Sequence, residues 1–488
     1  MPTLVARLTD IQDRLDALAR RHRVPGATLA IAAGDELLDF ATGVLNVNTG
    51  VETTTDSVFQ IGSNTKLLTT TLVMQLVDAG RVDLDAPVRT YLPDFELADR
   101  SGTEEITVRQ LLTHTSGIQG DYFDPFGRGD EAIERYVASL RDIDLVHRPG
   151  SMWSYCNSGF VVAGRLVEVL SDRPYRTALK ERITAPLGLR KMTVVPDEMI
   201  ANRCAVGHVV GPSGPVVPPT VVMEYAQAPA GSMTTSTAAE LVRFVQMHLA
   251  GGVTPSGDRI LSEDSVRAMQ QVQFPRPPTS TVPLTQGLGW LMEEWDGRRV
   301  IGHGGGTIGQ LSFLEALPDD GLVVALLTNS MTGGLLWRDL GRWLFEELAG
   351  VRMPSPPKAP DPAPELDLSV YAGTYERLGV RYRIEVAGGE LVATPELTGS
   401  MADLQQGAAQ PPLRLRPIDR ERFVARIGGV DGVVLFLDFE RGRPGYVMIG
   451  RVARRVRTRA ARTTKPATAK KPAAKKAPAK KATATRHR

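Results

Sequence analysis

Residues 353–364 read MPSPPKAPDPAP, and half of them are proline. Proline has no backbone N–H to give and a fixed φ, so neither a helix nor an interior strand can run through this segment. It favours an extended polyproline II course and makes a semi-rigid linker. The chain on either side must therefore complete its own hydrogen bonding, and the two sides differ in pattern. Before the run, helical and strand periodicities mix. After it, from Leu366 to about Val456, come short β-rich runs: TYERLGVRYRIEV, GELVATPEL, PLRLRPI, ERFVARI and GVVLFLDFERG, separated by breaks such as AGG and GGVDG. That spacing suggests an antiparallel sheet or small barrel.

The remainder, 457–488, is low in complexity, lacks aromatics and offers too little apolar surface to order itself. From Arg451 to the end stand 15 Lys and Arg without one Asp or Glu. Setting these apart from the chain's 57 basic residues leaves 42 against all 55 acidic ones, so a body of net −13 carries a basic tail although the whole is only +2. Such a tail suits sequence-independent contact with nucleic acid, self-pairing with the acidic body, or simple solubilisation. At the other end Leu4, Leu8, Ile11, Leu15 and Leu18 recur at helical spacing with acids between them, an amphipathic helix rather than an export signal. No stretch approaches the roughly 18 apolar residues of a membrane span. Two cysteines, Cys156 and Cys204, supply neither a disulfide framework nor a metal cluster. The expectation is a cytoplasmic protein with no membrane partner.

Within the first 350 residues, VPGATLAIAAGDELLDFATGVLN reads as two strands turning at Gly34-Asp35, and SNTKLLTTTLVMQLVDA as a helix over 63–79 stopped by Gly80. RVIGHGGGTIG, LSFLEALPD and GLVVALLTNS read as successive strands before a closing amphipathic helix. Three short motifs carry chemistry. Ser63 and Lys66, three apart, share one helix face, so a hydroxyl and an amine can meet at a helix start where the dipole favours developing negative charge. A serine needs such a base, and burial lowers a lysine's pKa enough to make it one. Tyr155-Cys156-Asn157 enters a helix and points residues one and three toward one cleft. Tyr155 suits proton transfer and Asn157 suits a substrate carbonyl; a core tyrosine with a capping asparagine reads equally well from the tripeptide alone. Cys156 reads as a small buried hydrophobe. His303-Gly304-Gly305-Gly306 places a cationic or hydrogen-bonding histidine at a strand start, glycines that admit substrate to the backbone, and an N–H of Gly306 to pair with that of Ser63 as an oxyanion hole. Any one of these is common.

In this order the three motifs resemble the serine β-lactamase and penicillin-binding-protein superfamily, closest to its class C-like esterase, D-aminopeptidase and penicillin-binding-protein-type thioesterase branches. FQIGSNTK, GRVDLDAPVRTYLPDF, ITVRQLLTHTSGI and LGWLMEEWDGRRVIGHGGGTIG carry the likeness over about residues 20 to 350. The resemblance implies an α+β multidomain fold: a β-lactamase-like catalytic domain over 1–350, an antiparallel sheet flanked by helices with a helical subdomain. A Pro-rich linker over 351–365, a β-rich lipocalin-like domain over 366–456 and a disordered basic tail over 457–488 complete the chain. It implies a Ser63 acyl-enzyme with Lys66, Tyr155 and His303 catalytic, Asn157 and Gly304–Gly306 on substrate or oxyanion, and no metal or other cofactor. Whether Lys66 or Tyr155 takes the serine proton stays open. His303 replaces the lysine of the Lys-Thr-Gly usual in β-lactamases and DD-peptidases, which points to a peptide, ester or thioester substrate, delivered by a peptide-synthetase carrier domain if the chain is a cyclising thioesterase. The alternatives are an esterase or D-stereospecific peptidase, or a catalytically degenerate binding or nucleic-acid-associated protein. Tyr122, Phe123 and Phe126 are candidates for an aromatic lid, and His114, in HTSG, reads as a structural turn residue.

Overall fold

The computed structural model describes residues 7–34, 36–211, 213–404, 410–427 and 430–456. Leu4, the Asp35 turn position and the tail over 457–488 lie outside the described residues. Helix α1 (Leu8–Arg21) leads into the hairpin β1 (Gly26–Ala33) and β2 (Glu36–Gly43), followed later by α2 (Thr65–Asp78) and α3 (Asn157–Ser171). Then come β3 (Phe274–Pro275), β4 (Leu284–Gln286), β5 (Leu291–Trp295), β6 (Arg298–Thr307), β7 (Gln310–Leu317), β8 (Leu322–Thr328) and α4 (Gly333–Ala349). The eight strands form one antiparallel sheet in the order β2-β1-β8-β7-β6-β5-β4-β3.

Helices cover both faces of that sheet, so its central strands are apolar on both sides rather than alternating. Leu29 and Ile31 of β1 join Val324 and Leu326 of β8 against Ile11 and Leu15 of α1 and Leu340 and Leu344 of α4. Ala30 and Ala32, with Val323, Ala325 and Leu327, face the other way, onto α2 and the helices between residues 100 and 250. The small alanines let the helix Ala238–Leu249 approach the sheet closely, and α2 lies among the helices beyond. From Thr65 to Met74 every residue of α2 is buried, as expected of a helix enclosed on all sides. Its threonines satisfy their hydroxyls internally, Thr70 and Thr71 on the carbonyls one turn back. Among the described residues no helix is long and apolar enough to cross a membrane.

Residues 351–365 carry neither helix nor strand. Beyond them β9 (Gly373–Arg377), β10 (Val380–Ala387), β11 (Glu390–Leu397), β12 (Leu413–Pro417), β13 (Arg422–Ile427), β14 (Val430–Glu440), β15 (Arg443–Ile449) and β16 (Arg451–Arg455) close into an antiparallel barrel in sequential order. TYERLGVRYRIEV, a single run by its composition, is a hairpin: Arg377 pairs with Val380, and Gly379 takes φ +81° in the two-residue turn. The barrel's apolar interior holds Tyr375, Phe423, Phe436, Ile384, Leu391 and Val447. Three of the 15 basic residues counted with the tail, Arg451, Arg454 and Arg455, belong to β16. The barrel's outer face rests on the catalytic body through Val433, Leu435, Met448 and Val452, packed on Val146 and Trp153.

Candidate active site

Ser63 lies in a single 3-10 turn, Gly62–Asn64, from which α2 continues, one step earlier than a helix running from 63. Close backbone contact sets this turn. Gly62 has φ +52°, and a Cβ on it would stand 2.5 Å from the Gly306 nitrogen. A Cβ on Gly305 would meet the Ile61 carbonyl oxygen at 2.0 Å, and one on Gly231 would meet the Gly62 oxygen at the same distance. Gly305 is therefore packed against the nucleophile turn as well as lining the cleft. The positions open toward the cleft are Gly304, with only Ser312 O at 3.9 Å from a built Cβ, and Gly306. The Gly306 nitrogen thus lies close against the turn that carries Ser63.

Lys66 is 0% exposed, and its Nζ lies 2.9 Å from Ser63 Oγ, 2.8 Å from Asn157 Oδ1 and 2.7 Å from Ala230 O. An ammonium donates to all three. A neutral amine has two N–H bonds, and two of its partners only accept, so its lone pair is left facing Ser63, whose hydroxyl then donates. Burial first, and then the Arg451 guanidinium, holds the Lys66 pKa well below the usual lysine range.

Burial raises the Tyr155 phenol above the usual tyrosine range, with the neighbouring Ser63 hydroxyl opposing it more weakly, so it is protonated at neutral pH. Its ring stacks on His114 at 4.3 Å, with Lys66 Nζ 4.9 Å and the Arg451 guanidinium 5.1 Å from its centroid. His114, at φ +59°, also accepts the Cys156 N–H on Nδ1 at 3.0 Å. The turn histidine is therefore the platform that fixes the Tyr155 segment. Cys156, not Asn157, caps α3: its sulfur accepts from Gly159 N–H at 3.2 Å, and burial lifts the thiol to about 11. Asn157 is the first helical residue, free to turn its oxygen to Lys66.

Two expectations are corrected. His303 sits midway along β6, not at its start, and is 2% exposed. Strand alternation turns it to the side opposite Gly304 and Gly306. Its Nδ1 donates to Gly304 O at 2.6 Å, and burial lowers its pKa to about 3, so it is neutral and not a cationic partner. Of the three lid candidates only Phe123 reaches the cleft. Tyr122 and Phe126 instead pack on Tyr136, at ring separations of 5.4 and 5.2 Å, because that buried ring offers them an apolar seat.

The cleft, about 950 Å³, is walled on one side by the barrel, through Arg377, Val380, Tyr382, Leu397 and Arg451. Motif reading missed the group that joins the two. Asp121, 3% exposed, receives Arg377 Nη1 at 2.7 Å and Arg451 Nη2 at 2.8 Å, with Asn157 Nδ2 at 3.5 Å. Two guanidiniums against one carboxylate leave an excess positive charge beside Ser63 and Lys66.

The beta-lactamase family model matches residues 11–349, which hold every one of the motif residues. The chain belongs to the beta-lactamase family. It is a serine hydrolase of that family with a barrel appended. Penicillin-binding protein 4 of Amycolatopsis lactamdurans is 43% identical over 374 residues, 75% of this chain and 97% of that protein. Among solved structures of related fold, SurE with D-Leu shares 28% identity at TM-score 0.75, covering 92% of this chain and all of that one. The D-amino acid amidase of Ochrobactrum anthropi SV3 complexed with D-phenylalanine shares 26% at TM-score 0.55, covering 66% and 91%. Coverage as wide as SurE's requires the barrel as well as the family domain.

Proposed function

We propose that this serine hydrolase releases peptides from a thioester or ester donor, such as a carrier domain of a peptide synthetase, and closes them into macrolactams. One observation carries the reading: the Ser63–Lys66 pair opens into a cleft with a second protein surface, the barrel, facing the catalytic body. An acyl group on Ser63 then has a wall opposite it on which an acceptor amine can be held. The likeness to structures holding D-Leu and D-phenylalanine supports a D-configured residue at the junction.

In the proposed mechanism Lys66, as amine, takes the Ser63 proton while the serine oxygen bonds to the donor carbonyl carbon. The resulting oxyanion rests on the Ser63 and Gly306 amides. Tyr155, protonated at rest, gives its proton to the departing thiol or alcohol and is recharged from Lys66. In the second half the amine nitrogen of the same peptide attacks the ester carbon, its proton passes to Lys66, and Ser63 leaves as the hydroxyl on a proton from Tyr155, which Lys66 restores. Asn157 holds the Lys66 amine and the incoming acyl chain, and neutral His303 supports Tyr155 from behind. Water in place of the amine gives hydrolysis, the reading that the amidase likeness favours.

The experiment is a partition measurement with peptidyl thioesters carrying a free N-terminal amine, varied in length and in C-terminal stereochemistry. Macrolactam as the main product from D-configured donors is expected. Free acid from every member of the panel would leave hydrolysis as the function.

A further inference from the structure

Beside the catalytic cleft lies a second cavity of about 310 Å³, and Met223 lines both. Val195, Val222 and Met233 give it apolar walls, and Tyr225 stands in its lining. Tyr225 is 4% exposed, yet its hydroxyl has no hydrogen-bond partner. A buried tyrosine ordinarily finds a partner for its O–H, so an orphaned one facing a cavity marks a place where an occupant supplies it. The lining holds Arg128 and Arg176 against the carboxylates of Asp197 and Glu224, which leaves no excess of positive charge to draw an anion. A recess with apolar walls, a balanced set of charges and one unpartnered hydroxyl fits a neutral aromatic group bearing a hydrogen-bonding edge.

We propose that this side cavity is a second substrate pocket that takes a phenol or indole side chain of the peptide donor, with Met223 as its movable partition. The proposal rests on the reading that Ser63 accepts a peptidyl group. Met223 suits the role because an unbranched thioether shifts at little cost. The volume, at the lower end of small-molecule pockets, admits one large aromatic side chain. Occupancy is also felt at the nucleophile. Tyr225 begins the turn Tyr225–Ala230, whose last carbonyl holds Lys66 Nζ at 2.7 Å and whose next residue, Gly231, packs on the Ser63 amide. Filling the pocket steadies that turn, so the side chain improves kcat as well as KM.

The test uses peptidyl N-acetylcysteamine thioesters that differ only in one residue, scanned along the chain as Gly, Phe, Tyr or Trp. At one position wild type is expected to prefer Tyr or Trp over Gly by about tenfold or more in kcat/KM, a preference that Val222→Trp abolishes by filling the pocket. Tyr225→Phe, which keeps the shape and removes only the hydroxyl, is expected to lose the preference for Tyr over Phe while both still outrank Gly. The same peptides, as amides titrated onto Ser63→Ala in a calorimeter, read the pocket separately from acyl transfer. Selective binding there with no thioester turnover would refute the peptidyl-transfer reading and leave the pocket standing. A selectivity profile in Val222→Trp and Tyr225→Phe identical to wild type, in both assays, would overturn the pocket.

Discussion

The catalytic body and the barrel both send buried side chains into one cleft, and they do so by opposite means. In the body, chemistry is local. Ser63 and Lys66 are three residues apart, Tyr155 and Asn157 two, and the glycines follow one another on β6. In the barrel, Arg377 ends the first strand and Arg451 begins the last, and they meet only because the barrel closes and both reach Asp121. The body uses its interior to desolvate Lys66. Deep in the barrel Tyr375, Phe423 and Phe436 pack on one another, and its contribution to the site comes from inward-facing residues at its mouth, Val380, Tyr382 and Leu397 with Arg377 and Arg451. A β-barrel need not hold a ligand to matter to catalysis; here it serves as a charged wall.

The largest effects should come from the body. Ser63→Ala and Lys66→Ala are each expected to lower kcat by about 10⁴-fold or more, since members of a nucleophile–base unit fail together. Intact mass after an activated ester should show an adduct on wild type that Ser63→Ala lacks. Equal labelling of the alanine variant would move the nucleophile elsewhere and dissolve the contrast between body and wall.

Next in size is the arginine wall. With Lys66 as base, kcat/KM rises with pH as the amine loses its proton, at a midpoint below the ordinary lysine value of 10.5. The Arg451 cation is part of what depresses that midpoint, so Arg451→Met, by removing a positive neighbour, should move the rising limb to higher pH. Arg451→Lys should restore it in part. At neutral pH the methionine variant should be slower than wild type, because less of its Lys66 is unprotonated. An unchanged midpoint with lowered kcat/KM would make the arginine a binding group only.

Much of this is legible in the amino-acid order itself. S-x-x-K, Y-x-N and H-G-G announce themselves because helix and strand periods convert short spacings into shared faces, and the β-rich segment after the prolines is visible from its breaks. What escapes has physical reasons. His303 looks like a charged residue in sequence, but strand alternation buries it and burial neutralises it. Gly305 looks like a substrate glycine and is also packed against the Ile61 backbone. Asp121 sits in QGDYFDPFGRGDE beside three more conspicuous aromatics, while its partners lie in strands with no motif, one of them counted with the basic tail. Pairings across the whole chain leave no local signature.

A smaller effect separates the barrel's inside from its outside. Leu391→Ala, in the interior, and Leu435→Ala, on the docking face, should each destabilise by about 2–5 kcal/mol, both side chains being buried. At a temperature where both variants remain folded, only Leu435→Ala should change kcat/KM, because it loosens the seat that holds Arg451 over Tyr155. Melting curves paired with activity decide it. Equal loss of turnover in the two would mean that the barrel acts through its stability alone.

The smallest effect is expected at the end of the chain. A protein ending at Val456 keeps β16, Arg451 and every residue that lines the cleft, and gives up only 457–488. Its kcat/KM and its melting temperature should match the full chain. If the removed residues reach nucleic acid, duplex DNA should shift the full chain and not the shortened one. Neutralising even six to ten phosphates would make that binding fall by about 10³–10⁵-fold between roughly 50 and 200 mM salt. If they pair instead with the body's own excess of acid, DNA binding should be weak at low salt, and the shortened chain should bind an anion exchanger more tightly. Loss of turnover in the shortened but folded chain would show that the basic residues on both sides of Val456 act as one group, and that the boundary between wall and tail lies further along the chain than β16.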